Sequence, residues 1–236
     1  MKYIIIFSTL FLLASCYYQY DSISGNGNVE STLISEDTIH SVTISNKLTA
    51  LIIPSDTFRV LLKADENLHE YINTEIHHGH LNIYSEKNIR MARSKEVIIY
   101  TDYIEQIDVS SGANIYNRDT LKGDEMNINA SSAADVSIVG IFNRITVQGS
   151  SGSDLRLSGN AGHAIINLSS AADLYAFDFI MNNADITASS ASDARINVKE
   201  QARFDASSAA DIKYKGNPDV VESRSSSAAD IKKIDN

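Results

Sequence analysis

The sequence predicts an all-β chain folded as a single-stranded parallel β-helix, a solenoid with coils of about 19 residues. A five-residue motif, Ser-Ser-small-small-Asp or its Asn variant, occurs seven times, with first serines at 110, 131, 150, 169, 189, 207 and 226. The successive spacings are 21, 19, 19, 20, 18 and 19 residues. Apolar and polar residues alternate around each motif with the period of two that is typical of strands. A regular spacing combined with strand periodicity indicates coils stacked along one axis.

The chain opens with a predicted lipoprotein signal peptide at residues 1–15, followed by a tether at 16–23. After Lys2, an apolar run of about eleven residues has the length of a signal-peptide core and is too short to span a bilayer. The sequence LLASC resembles the bacterial lipobox, which implies cleavage before Cys16 and lipid attachment to that residue. Cys16 is the only cysteine, so an internal disulfide is excluded. We expect a membrane partner through the lipid anchor; a plain secretory signal is the alternative.

Residues 24–236 are predicted to form one β-helix domain in two parts. Residues 24–105 lack the motif but contain strand patterns such as HSVTI and EVIIY, which predicts irregular N-terminal coils that cap the solenoid. Residues 106–236 carry the regular repeats. Near the C-terminus, Ser223 and Lys233 replace apolar residues of the repeat, which predicts an atypical final coil.

Two apolar columns are predicted to face the core, because each recurs at one fixed position of the repeat. The column three residues before the first serine is Ile107, Ile128, Val147, Ile166, Ile186 and Phe204. The column directly after the motif is Ile115, Val136, Leu155, Leu174, Ala194, Ile212 and Ile231.

The motif itself is predicted to form one corner of each coil. The alternation keeps its phase through the motif, so the second serine and the fourth residue, such as Ser132 and Ala134, are expected to face inward. Stacked inward serines would hydrogen-bond along the stack. The third position is glycine only at Gly112 and Gly152 and alanine elsewhere. Alanine is costly at positive φ, so we expect this position to avoid the left-handed region.

The carboxylates at the end of six motifs are predicted to form an outward column, and they are the candidate metal ligands. This Asp column is Asp135, Asp154, Asp173, Asp193, Asp211 and Asp230. Hard cations such as calcium take several oxygen ligands, but the glycine-rich calcium turn with a period of nine is absent. Basic residues stand two positions after four of these aspartates, which favours local charge neutralisation. We therefore predict no metal and no other cofactor.

The composition argues against nucleic acid as a partner and against catalysis. The net charge is −10, and no basic patch is available to neutralise phosphates. A serine nucleophile needs a general base beside it, whereas the seven motifs contain no histidine. Hydrolysis of a carbohydrate would need two facing carboxylates beside aromatic subsites, whereas the chain has no Trp and its Tyr residues do not form a column. We predict no catalytic residues and no enzyme activity.

The repeats resemble the SGAGD repeats of the DUF2807 family, described as "putative auto-transporter adhesin, head GIN domain" and common among bacterial surface lipoproteins. The segment GNGNVE at 25–30 and the stretch 48–84 also resemble the family, so that the resemblance spans residues 24–235. It implies a β-helix-like fold and a surface or adhesion role, and it supplies no catalytic residues.

The leading hypothesis is a non-enzymatic, lipid-anchored protein of the cell envelope, expected at the outer membrane. Its rigid β-helix face would bind a surface glycan or a protein. Two other hypotheses stay open: a structural or assembly component of the envelope without a soluble ligand, and a glycan-active β-helix enzyme. The sequence leaves both the periplasmic and the external face of the membrane open.

Overall fold

The computed structural model describes residues 21–235 of the chain. The predicted signal peptide, Cys16 and most of the predicted tether at 16–23 lie outside the described residues. Within the described range, no helix is long and apolar enough to cross a membrane. Strands dominate, and a single 3₁₀ turn covers Glu66–Leu68. The all-β prediction is therefore confirmed.

Nineteen strands make up the described part of the chain. They are β1 (Ser22–Ile23), β2 (Val29–Ser35), β3 (Ser41–Ile44), β4 (Thr49–Pro54), β5 (Arg59–Asp65), β6 (Ile72–His77), β7 (His80–Ser85), β8 (Asn88–Ile89), β9 (Lys95–Thr101), β10 (Gln106–Val109), β11 (Asn114–Asn117), β12 (Leu121–Ala130), β13 (Asp135–Gly149), β14 (Asp154–Leu168), β15 (Asp173–Ala188), β16 (Asp193–Ala206), β17 (Asp211–Lys215), β18 (Asp219–Ser225) and β19 (Asp230–Lys233).

The repeat region forms the predicted β-solenoid. Each long strand runs from one motif to the next and pairs in parallel with the following strand, so that Val136 lies opposite Leu155 and Leu155 opposite Leu174. Each coil therefore advances the solenoid by about 4.8 Å. Register shifts between Arg156 and Ser158 and within the β15–β16 pair absorb the coils of 20 and 18 residues. The variation in spacing is thus accommodated by bulges and leaves the motifs in register.

The N-terminal part adds a further coil before the first recognised motif. Strands β3 and β4 pair in parallel with β10 and β11 on one side and with β7 and β9 on the other. Strand β5 lies antiparallel between β2 and β9, and β6 and β7 form an antiparallel hairpin. The sheet therefore continues past the regular coils into a mixed arrangement that covers the N-terminal end.

The two predicted apolar columns lie in the core. Every described member is buried except Ile231, which is partly buried in the last coil. The fourth motif residue is also buried through the array, again with the last coil as the exception. Where this residue is Ser153 or Ser192, its hydroxyl accepts the backbone N–H of the first motif serine at 3.1 Å. A buried serine is tolerated there because its hydroxyl has this local partner.

The motif turn differs from the sequence prediction in two respects. The second serines have φ between 51° and 54°, and the third residues have φ between 59° and 69°, so both positions are left-handed. The N–H of Ala134 donates to the carbonyl of Ser131 at 3.2 Å and closes the turn, as in a type I′ turn. The second serines are exposed, so the expected inward serine ladder is wrong. The expectation that alanine at the third position avoids positive φ is also wrong.

Backbone hydrogen bonds between successive turns explain why alanine is accepted at positive φ. The N–H of Ala133 donates to the carbonyl of Ser151, and the N–H of Ala171 to the carbonyl of Ser190, each at 3.0 Å. The same bond links every turn of the array to the next. The left-handed conformation costs an alanine about 1–2 kcal/mol, whereas leaving the turn's polar groups unpaired costs about as much for each group. The ladder therefore outweighs the local preference.

An eighth turn of the same kind lies in the coil formed by β3 and β4. Asn46 and Lys47 have φ of 60° and 59°, and the N–H of Lys47 donates to the carbonyl of Ser111 at 3.0 Å. Its sequence, SNKLT at 45–49, shares only the first serine with the motif. The turn array therefore begins one coil earlier than the repeat indicates.

Candidate functional site

A polar groove runs along the solenoid where the strands enter the motif turns, with a volume of about 460 Å³. Two columns line it. The outer column holds the residues two positions before the first serine: Thr43, Asp108, Asn129, Gln148, Asn167 and Thr187. The serine column holds the first motif serines: Ser110, Ser131, Ser150, Ser169 and Ser189.

The local sequence pattern explains why a groove forms between these columns. The residue between them points into the core, so only its backbone forms the floor. Three of these floor residues are small, namely Ala130, Gly149 and Ala188. A Cβ on Gly149 would lie 2.8 Å from the side chain of Leu168, so this position has no room for one. The outer column and the corner serines then stand on either side of a floor without side chains.

The backbone of the floor is already hydrogen-bonded within the solenoid. The N–H of Ser131 donates to the carbonyl of Val109 at 3.0 Å, and that of Ser150 to the carbonyl of Ala130 at 2.9 Å. Since the parallel ladder uses these groups, a partner in the groove can bond only to side chains. The chemistry of the groove is therefore that of its two columns.

At one end of the outer column the side chains hydrogen-bond to one another, and at the other end they have no such partners. Both carboxylate oxygens of Asp108 have partners: the amide of Asn129 donates to one at 2.6 Å, and the amide of Gln106 to the other at 2.7 Å. Farther along, Gln148, Asn167 and Thr187 are exposed and have no side-chain hydrogen bond to any described residue. These side chains are available to a partner from solution.

The hydroxyls of the serine column are likewise unpaired within residues 21–235. Each of these serines is half-buried at the groove wall, and their Oγ atoms have no protein partner there. The groove wall also holds only one ionisable side chain, Asp108. It therefore combines uncharged hydrogen-bond donors and acceptors over five coils.

The structure brings the predicted Asp column together on another outward stripe. Each aspartate lies directly opposite the next in the strand register. Burial raises the pKa of Asp173, and the charges of Asp193 and Asp154 raise it further. The column is thus electrostatically strained at its centre, as like charges in register should be.

Basic side chains form ion pairs with three of the six aspartates of the column. The atom pairs Arg156 Nη1–Asp135 Oδ1, Arg195 Nη2–Asp193 Oδ2 and Lys213 Nζ–Asp211 Oδ2 lie 3.7, 3.4 and 3.7 Å apart. No cluster of three or more His, Cys, Asp or Glu suited to a metal ion occurs among the described residues. Cation binding by the Asp column stays a hypothesis.

Two of the basic side chains beside the Asp column also pack against an aromatic ring. The guanidinium groups of Arg156 and Arg195 lie 5.3 and 4.6 Å from the ring centre of Tyr175, one on each neighbouring coil. Such contacts hold a cation against the surface. Half of the Asp column is therefore paired with basic side chains, whereas the serine hydroxyls and the amides of Gln148 and Asn167 in the polar groove have no partner among the described residues.

Sequence reasoning recognised the outer column as polar but assigned it no role. Its members differ in type, so they form no motif, and their relation to the serines depends on the turn geometry. A useful signal is the run of four uncharged residues at one repeat position, namely Asn129, Gln148, Asn167 and Thr187, which is bounded by Asp108 on one side and Asp205 on the other.

These features define a class, the β-solenoid proteins with a polar surface groove. More specifically, the chain belongs to the DUF2807 family: the family model, described as "Putative auto-transporter adhesin, head GIN domain", matches residues 39–218. The resemblance found in the repeats is thereby confirmed. The comparison with curated proteins gives no match.

Solved structures share the fold over most of this chain. An adhesin described as putative, from Bacteroides fragilis, is 18% identical with a TM-score of 0.82, covering 90% of this chain and 100% of that chain. A "putative lipid binding protein" from Parabacteroides distasonis is 18% identical with a TM-score of 0.71, covering 91% and 100%. A "putative adhesin" from Parabacteroides merdae is 20% identical with a TM-score of 0.68, also covering 91% and 100%. At these identities the likeness concerns the fold.

Proposed function

We propose that this chain is a non-enzymatic, lipid-anchored binding protein of the bacterial cell envelope, and that the polar groove is its binding surface. The observation that carries the proposal is a row of first motif serines over five coils, with the amides of Gln148 and Asn167 beside it. The side chains of these residues have no hydrogen-bond partner among residues 21–235. The family description as an adhesin supports a surface-binding role rather than catalysis.

The proposed anchor is Cys16, and the proposed location is the outer membrane. The support comes from the sequence, where the only cysteine ends a lipobox-like segment. Cell fractionation tests the anchor. Native protein is expected in the membrane fraction, and Cys16→Ser protein in the soluble fraction. Retention of the Cys16→Ser protein in the membrane would contradict lipid anchoring through this residue.

Binding to cells tests the groove. Purified full-length protein in detergent, fluorescently labelled, would be applied to cells of the source bacterium that lack the gene. Ser169→Tyr places a ring in the groove, and Asn160→Tyr places one on an exposed position of another strand segment. We expect the first substitution to abolish binding and the second to leave it unchanged.

Two results would count against this function. Equal binding by the Ser169→Tyr protein would exclude the groove as the binding surface. No cell binding by the unmodified protein, together with an envelope defect in the deletion strain, would favour the structural or assembly role. If both variants unfold at the same thermal midpoint as the unmodified protein, a difference in cell binding cannot be attributed to loss of folding.

A further inference from the structure

We infer that the polar groove binds a neutral, linear glycan that lies along the solenoid axis, one sugar unit per coil. This inference rests on the proposed function and adds the chemical class and orientation of the ligand. It follows from the charge of the groove, the kind of polar groups in it, and their repeat distance.

The charge of the groove excludes most alternatives to a neutral ligand. No Lys, Arg or His lines it, so a polyanion would find no counter-charge there. The single carboxylate, Asp108, is occupied by two amide donors. It offers little to a polycation.

The type of polar group favours sugar hydroxyls over an extended peptide or an acyl chain. Amides and hydroxyls both donate and accept hydrogen bonds, as sugar hydroxyls do. A peptide adding to a sheet would need free backbone groups, but the parallel ladder uses the backbone of the floor. An acyl chain would leave the amides of Gln148 and Asn167 desolvated without partners, which is costly.

The strand register explains why the ligand should lie along the solenoid axis. Asn129 lies opposite Gln148, Gln148 opposite Asn167, and Asn167 opposite Thr187. Equivalent groups therefore recur at about 4.8 Å, and five coils span about 19 Å. The sugar units of an extended linear glycan follow one another at a similar distance, so each unit can place hydroxyls, which both donate and accept, beside the amide and serine groups of one coil. A short or branched ligand would use only part of this array.

The free end of the groove is where recognition should concentrate. The amide of Asn129 is held by Asp108, whereas Gln148 and Asn167 are exposed and unpaired among the described residues. The test variant is therefore Gln148→Ala with Asn167→Ala. The matched control is Gln201→Ala with Asn160→Ala, which removes the same two side-chain types from exposed positions outside the groove.

The experiment is calorimetric titration of the full-length protein in detergent with defined oligosaccharides. The probes are linear neutral hexasaccharides of β-1,4-linked and α-1,4-linked glucose, mannose and xylose, their disaccharides, and hexagalacturonate as the anionic comparator. We expect at least one neutral hexasaccharide to bind, about tenfold or more weaker binding by the groove variant, and unchanged binding by the control. The corresponding disaccharide should bind more weakly than the hexasaccharide.

The possible negative results distinguish a wrong ligand class from a wrong binding surface. If no neutral hexasaccharide binds while cell binding remains sensitive to Ser169→Tyr, the ligand class is wrong and the groove still binds a different partner. Preferred binding of hexagalacturonate likewise overturns a neutral ligand. Equal affinity for disaccharide and hexasaccharide overturns the axial orientation. If both titration and cell binding fail, the proposed function fails as well.

Discussion

Replacing Ala171 by glycine should stabilise this protein, although glycine usually weakens a β-rich fold. Ala171 is the third residue of its motif and has φ of 60°, where its Cβ is close to the backbone. It is exposed, so the substitution removes almost no buried apolar surface. Two members of the array, Gly112 and Gly152, already have glycine at the equivalent position.

The expected magnitude is the difference between two opposing effects. Removing the methyl group from a left-handed residue relieves about 1–2 kcal/mol of strain in the folded state. The greater freedom of glycine in the unfolded chain costs about 0.4–1 kcal/mol. The midpoints of the two ranges give a net gain of about 0.8 kcal/mol, which corresponds to a rise of about 2–3 °C in the thermal midpoint of a chain of this size.

Differential scanning calorimetry measures this change, and the motif contains its own control. Ala172 follows directly and is fully buried, with φ outside the left-handed region. Ala172→Gly should therefore lower the midpoint, because it opens a small cavity and adds chain entropy. The thermal midpoint should therefore change in opposite directions for these two adjacent alanines, which tests the turn geometry directly. A loss of stability in Ala171→Gly equal to that in Ala172→Gly would show that the left-handed conformation of Ala171 carries no strain that glycine relieves.

Other substitutions test other parts of the fold. Asp65 is fully buried and accepts N–H groups of Gly27, Arg93 and Ser94, so Asp65→Ala should cost about 3 kcal/mol or more in urea unfolding. Burial raises the pKa of Asp65, but these donors outweigh it and the net pKa is lowered, so its stabilisation should disappear as the pH falls through that lowered pKa. Asp173→Asn should raise stability at neutral pH, because burial and its neighbours raise the pKa of the native carboxyl, and the gain should vanish in acid, where that carboxyl is neutral in both states. EDTA should leave the thermal midpoint unchanged if basic side chains neutralise the Asp column; a large drop restored by calcium would contradict this.

The periodic features of the fold were predictable because they depend on side chains alone. A spacing near 19 residues and alternating polarity identified the solenoid, and Ile128, Val136 and their equivalents lie in the core as expected. Burial of an apolar side chain is a large and local preference, so a repeated pattern reports it reliably. The pairing of Arg195 with Asp193 also followed from their spacing on one strand face.

The turn was mispredicted because its stability comes from contacts between coils. Ala133 alone argues against positive φ, yet its N–H is bonded to the carbonyl of Ser151 in the next coil. Single-residue preferences do not contain that bond. The eighth turn was missed for a related reason: Asn46 and Lys47 adopt the same conformation with different side chains. The polar groove depends on both facts, since the turn geometry places the serine column beside the outer column.

Chemical-shift mapping tests the central claim most directly, because it locates the bound ligand on the surface without any substitution. Isotope-labelled protein would be titrated with the neutral hexasaccharide that binds in calorimetry, and backbone amide shifts would be recorded residue by residue. An axial ligand in the polar groove should change the shifts of Gln148, Asn167, Thr187 and the adjacent first serines, once per coil. Shift changes concentrated on the Asp column, or confined to a single coil, would contradict an axial ligand in the polar groove.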